Sequence, residues 1–404
     1  MTPGSGGPSR PHPLVLVTVG VVAAAMTIIA LMLLDGGDAP GQAGGTPVAG
    51  TTTQEAPAPR TVTVVAQPEA ESAPPKKPTV SAARMIGQRI MVGFRDHATP
   101  PPALLTAIRK GRVGGVILFG ENNGAGSGYA SVADRLRREA EAGGQPPLLI
   151  AIDQEGGSVR RIAAAPPTIS PQEMGRQGAG AAGQQGLATG SDLRSRGINV
   201  NLAPVVDVPS TADSFLGDRT FGSTPGTVGA TAGAFAAGLQ EAHVAATAKH
   251  YPGLGTTGPR NTDEAPVTVD TPLDELTRRA TPFRALVKQH VRLVMMSSAT
   301  YSALDPSRPA VLSRRVVNDR LRSFFGKGVV ISDDLGTPAL QAYGAGVPVL
   351  ASNAGVDILL YVDTAARGAY STLLKAYRTH QLSSPRLKAS YKRVMALKRW
   401  VARG

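Results

Sequence analysis

Short apolar, β-branched runs recur along the chain at positions 113–119, 148–152, 198–202, 244–248, 293–297, 329–332 and 358–362. Amphipathic stretches such as 132–141 and 186–196 fall between several of them, with apolar residues at helical spacing. Strand and helix alternating over about 300 residues predict an α/β fold built on a parallel sheet, either an open doubly wound sheet or a closed barrel. In both architectures chemistry collects at the carboxyl ends of the strands. The polar residues that follow the runs comply: Glu121, Asp153, Asp207, Lys249, Ser298 and Asp333. Between two runs, Thr271 before Pro272 predicts an N-cap with proline at the first helical position. Pro282 should end that helix early and open a second one, with Phe283, Leu286 and Val287 on its apolar face, that reaches His290.

The amino-terminal part has a different pattern. Positions 14–34 form an unbroken apolar or small stretch of 21 residues, the length that crosses a bilayer core. Arg10 and His12 precede it and Asp35 and Asp38 follow, so the positive-inside rule places positions 1–13 in the cytoplasm. A cleavable signal peptide has a shorter apolar core of roughly 7–15 residues, which favours an uncleaved single-pass anchor over secretion after cleavage. Positions 35–80 are rich in Ala, Gly, Pro and Thr with few large apolar side chains, the composition of a disordered linker. The expected organisation is one catalytic domain over 81–404, tethered outside the cytoplasm.

Composition narrows the chemistry. The chain has no cysteine, which removes disulfides, thiolate metal sites and a cysteine nucleophile. Its net charge is +13, and residues 1–80 carry 4 basic and 5 acidic side chains, so the folded part holds +14. Such an excess suits an anionic surface or matrix. Aromatics at 4% and the lack of any helix-turn-helix, zinc or RNA-sheet signature argue against nucleic acid as partner. The carboxy-terminal run with Arg386, Lys388, Lys392, Arg393, Lys398 and Arg399 reads as the wet face of a helix whose apolar side holds Leu387, Tyr391, Val394, Met395 and Leu397. The six histidines lack metal-ligand spacing, so neither a metal nor another cofactor is expected. Gly178, Gly180 and Gly183 fit G-x-G-x-x-G, but no strand precedes them, as dinucleotide binding would require. No G-x-S-x-G elbow is present.

Two stretches hold the chemistry that is left. In AKHYPGLGTTGPRNTDE, positions 248–264, Lys249 and His250 stand side by side at the end of an apolar run. The prolines and glycines that follow forbid continuation of strand or helix, and the resulting loop carries Asp263 and Glu264. In GVVISDDL, positions 328–335, a β-branched run ends in Asp333 and Asp334, as at the open end of a buried parallel strand. Carboxylates and basic groups at strand ends, without metal or cofactor, suit cleavage of a glycosidic bond by a carboxyl pair.

The chain resembles the family 3 glycoside hydrolases, specifically their β-N-acetylglucosaminidase branch. The resemblance rests on LIAIDQEGGSVRRI at 149–162, NVNLAPVVDV at 199–208, GDRTFG at 217–222, AKHYPGLG at 248–255 and VVISDDLG at 329–336, in family order. It implies a (β/α)8 TIM-type barrel and a retaining, two-step hydrolysis of terminal β-linked N-acetylglucosamine. Asp333 falls on the family's nucleophile. Asp334 points to the other side by strand alternation and is expected to form structural hydrogen bonds. Asp153, Arg161, Arg219, Lys249 and His250 fall on sugar-binding positions.

The chain departs from the family where the loop after Lys249-His250 usually ends in Asp-Ser-His, whose histidine is the general acid and base. Here the loop is about one residue longer and reads Asn261, Thr262, Asp263, with no histidine. Asp263 is expected to take that role, since a carboxylic acid can carry the same proton; Glu264 is its rival. Leu254 replaces a frequent histidine and Ser158 an arginine. The alternatives are a wall-binding pseudoenzyme, against which the retained Asp333 argues, and a β-glucosidase, against which the Lys249-His250 motif argues. The anchor, the tether and the basic domain point to N-acetylglucosamine-containing glycans or muropeptides of the cell envelope as partners.

Overall fold

A computed structural model describes residues 80–363 and 368–404 of the chain. Positions 1–79, with the expected anchor at 14–34 and nearly all of the expected linker at 35–80, lie outside the described residues. Among the described residues no helix is long and apolar enough to cross a membrane.

Eight parallel strands form one sheet: β1 Ile90–Val92, β2 Gly115–Leu118, β3 Leu149–Ile152, β4 Val200–Asn201, β5 Ala245–Tyr251, β6 Leu293–Met296, β7 Val329–Ser332 and β8 Leu359–Tyr361. From β1 to β7 each pairs with the next in sequence, and β1 also pairs with β8. The last gap is joined by a parallel bridge between Ile331 and Ile358, with Ser332 N donating to Ile358 O at 3.0 Å. This is the (β/α)8 barrel expected from the family, not the open sheet that the alternation alone also allowed. Seven of its strands lie on the apolar runs. β1 is additional: three residues between the buried Arg89 and Gly93, too short to stand out as a pattern.

Both faces of the strands are buried, and successive residues divide between two layers. Met91, Ile117, Leu149, Ala151, Met295, Ile331 and Leu360 meet inside the barrel, where Val394, Leu397 and Val401 of the helix Ser384–Val401 join them. Val116, Leu118, Ile150, Ile152, Val294 and Val330 face the surrounding helices in the larger cluster. Each such aliphatic side chain contributes about 1.5–3 kcal/mol on burial, so the two layers fix the strand ends from which functional residues project.

The carboxy-terminal helix corrects one sequence expectation. Lys398 is fully buried and donates to Gln88 Oε1 at 2.8 Å, Gly114 O at 2.7 Å and Pro147 O at 2.8 Å, at the amino ends of β1, β2 and β3. Arg393 pairs with the buried Asp357 at 2.7 Å. The run is therefore only partly a wet face; the helix closes the barrel floor and two of its cations are structural. The local expectation around Pro282 fares better. Helices Leu273–Arg279 and Thr281–Lys288 meet there, and Phe283 and Leu286 are buried. The first helix has Pro272 as its N-cap, with no side-chain cap from Thr271.

Candidate active site

The carboxyl ends of the strands surround a cleft of about 390 Å³ lined by Asp153, Arg161, Arg219, Lys249, His250, Asp263 and Asp333 among others. All seven sequence-assigned residues thus converge on one place. A hollow of about 440 Å³ at the opposite end of the barrel is bordered by Arg137, Glu141, Arg194 and Val401 and holds no carboxylate pair.

β3 delivers Asp153, and the chain then folds into a hairpin of Gln154–Gly156 against Val159–Arg160, which leads to Arg161. β5 delivers Lys249 and His250. The register of β5 against β6 shifts between Ala248 and Tyr251, and both adjacent side chains line the cleft. Lys249 Nζ donates to Asp153 Oδ1 at 2.7 Å and lies 2.6 Å from Glu155 Oε1. Glu155 binds Arg219 in turn, with Nε to Oε2 at 2.8 Å and Nη2 to Oε1 at 3.0 Å, the two-pronged geometry that orients a guanidinium.

These charges set one another's ionisation. Burial would push the Glu155 carboxyl up, but Lys249 and Arg219 outweigh it and bring it down to about 2. Burial likewise opposes the Lys249 ammonium, and Asp153 and Glu155 overcome it, so its pKa is raised. The result is a linked chain of charges, Asp153–Lys249–Glu155–Arg219. Glu155 was unassigned from sequence although it sits within the DQEGG motif; a second acid close behind Asp153 at a strand end was the available signal.

Asp207 is the second residue that sequence reasoning left without a role. It is fully buried and accepts from His250 N at 3.2 Å and Leu254 N at 2.8 Å, with His250 Nδ1 at 2.7 Å from its Oδ2. Gly255 lets the loop after β5 lie against this segment: a Cβ there would meet Val208 O at 1.8 Å. Leu254, in place of the family's frequent histidine, is buried and borders the cleft.

Asp333 directly follows β7, and its amide donates to Met296 O at 3.2 Å on the neighbouring strand. Burial raises the Asp333 pKa and the charge of Asp263 adds to the effect, while His250, Lys249 and the Asp334 amide oppose it. Asp334 also borders the cleft, so strand alternation does not remove it from the site. Its Oδ1 accepts from Gly336 N at 2.9 Å and Val362 N at 3.2 Å, the structural hydrogen bonding expected of it. Burial pushes its carboxyl up to about 6. Asp263 is exposed on the loop, its amide donating to Asn261 Oδ1 at 3.0 Å. Glu264 is within 3.5 Å of Asn261 Nδ2 and does not line the cleft.

A closed parallel barrel with carboxylates and cations gathered at the strand ends defines a class of enzyme that works on polar substrates through acid, base and nucleophile. The family profile described as the glycosyl hydrolase family 3 N terminal domain matches residues 84–397. The chain belongs to glycosyl hydrolase family 3 and is a glycoside hydrolase. It is 35% identical over 333 residues to an uncharacterized secreted glycosyl hydrolase of Arthroderma benhamiae, covering 79% of this chain and 93% of the relative. It is 35% identical over 372 residues to the beta-hexosaminidase LpqI of Mycobacterium tuberculosis, covering 88% and 92%. Among solved structures, a family 3 beta-N-acetylglucosaminidase from Paenibacillus sp. superposes with a TM-score of 0.75 at 32% identity, covering 80% of this chain and 63% of that longer one.

Proposed function

We propose that the protein is a retaining, exo-acting β-N-acetylglucosaminidase that releases terminal N-acetylhexosamine from peptidoglycan-derived fragments. The observation that carries this is the placement of Asp333 and Asp263 in one cleft beside the linked charges of Asp153, Lys249, Glu155 and Arg219. Such a chain of charges offers a pyranose alternating donors and acceptors for vicinal hydroxyls, while Arg161 and His250 complete the grip. Arg161 Nε is buried without a hydrogen-bond partner, as a donor kept for substrate would be.

With the sugar so held, a carboxylate oxygen of Asp333 attacks the anomeric carbon as Asp263 protonates the departing oxygen. The resulting glycosyl ester is cleaved by a water that Asp263, now a base, deprotonates. Relatives that bear the name beta-hexosaminidase support the substrate class.

The fragment assignment is tested by incubating the purified domain with chitobiose and with N-acetylglucosaminyl muropeptides. Release of N-acetylglucosamine from both is expected; cleavage of chitobiose with muropeptides untouched would remove the cell wall from the proposal. The tether is tested separately. Full-length protein anchored by positions 14–34 should fractionate with membranes and resist extraction by salt, because such a segment inserts hydrophobically. A soluble extracellular form beginning after about residue 35 would instead show a cleaved signal.

A further inference from the structure

Arg95, Arg161, Arg219 and Lys249 all line the cleft, but they are not equally neutralised. Arg219 is bound by Glu155, and Lys249 by Asp153 and Glu155, at 2.6–2.8 Å. Arg95 and Arg161 instead flank a single aromatic ring. The Arg95 guanidinium carbon stands 4.5 Å from the centroid of Phe119 and that of Arg161 5.8 Å from it. The carboxylate that Arg95 meets, Glu121, is 3.9 Å away, with side chains 48% and 40% exposed. A pair that long and that wet is worth little. Stacking on an aromatic face fixes the plane of a guanidinium and leaves its N–H edges for an acceptor lying in that plane.

The position of Arg95 says which part of a substrate could supply that acceptor. An exo-acting pocket takes the terminal sugar at its base, where Lys249, Asp153, Glu155 and Arg219 are linked and where Asp333 follows β7. The remainder of the substrate has to leave through the mouth. Arg95 follows β1, and its half-exposed side chain places it at the rim and not at the base. Asp263, Asp333 and Asp334 border the same cleft and repel a multiply charged group, so a monoanionic carboxylate suits the rim better than a phosphate.

We propose that Arg95, held on Phe119 beside Arg161, binds a carboxylate on the leaving group and so selects substrates whose second sugar is acidic. The inference rests on the β-N-acetylglucosaminidase reading and extends it by naming the chemical feature recognised beyond the scissile bond.

The test compares N-acetylglucosaminyl-N-acetylmuramic acid, whose lactyl ether carries one carboxylate, with the methyl ester of the same disaccharide. The ratio of kcat/KM for acid over ester should be about two to five in the native protein, the value of one rim-exposed charge-assisted contact. It should fall towards one in Arg95→Gln, stay raised in Arg95→Lys, and shrink in 0.5 M salt. The same ratio is read as equilibrium affinity in Asp333→Asn and in Asp333→Asn/Arg95→Gln, where no turnover is needed. A native ratio near one in affinity, or an unchanged ratio in Arg95→Gln, overturns the inference. A preserved, Arg95-dependent affinity ratio without any hydrolysis supports it while sinking the catalytic proposal on which the turnover arm rests.

Discussion

The imidazole Nδ1 of His250 lies 2.7 Å from Oδ2 of Asp207, a carboxylate with no solvent exposure that also takes the backbone amides of His250 and Leu254. Holding the Nδ1 proton on Asp207 leaves Nε2 as the nitrogen available to substrate, and the same carboxylate pins the start of the loop that carries Asp263. Asp207 thus fixes the His250 ring and the first residues of that loop at once.

Asp207→Asn keeps the volume but replaces one acceptor oxygen by a donor. We expect kcat/KM to drop about 10–100-fold, the scale of a lost hydrogen bond to a charged group, with kcat affected at least as much as KM. Asp207→Ala should also melt lower, since three buried donors lose their acceptor at about 1–3 kcal/mol each. An Asp207→Asn enzyme with native kcat/KM and an unshifted pH profile would remove this role.

The nucleophile assignment has a pH signature. A nucleophilic carboxylate has to be ionised, and burial together with Asp263 raises the Asp333 pKa above its ordinary value. The acid limb of kcat/KM should therefore lie above the 3.8 of an unperturbed aspartate. Activity is lost as pH falls through that raised value. Asp333→Ala and Asp333→Asn should abolish turnover of a chromogenic β-N-acetylglucosaminide without changing the far-UV circular dichroism. A 2-fluoro-type inactivator should be found by mass spectrometry on Asp333; a label on Asp334 would move the nucleophile by one residue.

Lys398 links stability to pH in the alkaline range. Burial lowers its pKa from 10.5 to about 7, so between these values the folded chain holds the neutral amine, with two N–H donors and one lone pair among its three oxygen neighbours, while the unfolded chain holds the ammonium. The unfolded state then binds more protons, and stability rises with pH from about 7 to 10.5, by at most roughly 5 kcal/mol. Denaturant midpoints at pH 7 and pH 9.5 should show this rise in the native protein and a smaller one in Lys398→Met. Equal pH slopes would mean that Lys398 stays charged in the folded state.

Lys398 also shows what the sequence could and could not reveal. Lys398 lies four residues after Val394 and three before Val401, so helical spacing already set it on the buried face. Its charge drew it into the basic run. The barrel strands were legible because long apolar runs suit parallel strands covered on both sides, whereas Ile90–Val92 offered only three residues. Asp333, Lys249 and His250 were legible because each directly ends or closes an apolar run. Glu155 and Asp207 were not assigned because their partners, Arg219 and His250, are 64 and 43 positions away in sequence. A pairing of that kind arises only when the barrel closes.

The proton donor is where the chain departs from its family, and the structure bears unequally on the two acids of the loop. Asp263 borders the cleft and its charge is felt at Asp333, while Glu264 is turned to Asn261. If Asp263 is the acid and base, its loss should matter most where the leaving oxygen most needs a proton. Asp263→Ala should then cost about 100-fold or more in kcat/KM on a natural disaccharide, within the range of general acid catalysis, and far less on an aryl glycoside with a good leaving group. In the second step the base removes a proton from water, and azide has none to remove. Added azide should accelerate the Asp263→Ala enzyme on the aryl substrate and yield the β-glycosyl azide. Phosphate should not compete with water in the native enzyme, because the Asp263 carboxylate repels an anionic acceptor. Glu264→Ala is the control and should follow the native pattern on both substrates. If it instead shows the leaving-group dependence and Asp263→Ala does not, the proton passes through Glu264. The exposed position of Asp263 on its loop is compatible with that role, since catalytic hydrogen bonds commonly tighten only once substrate closes the loop over the site.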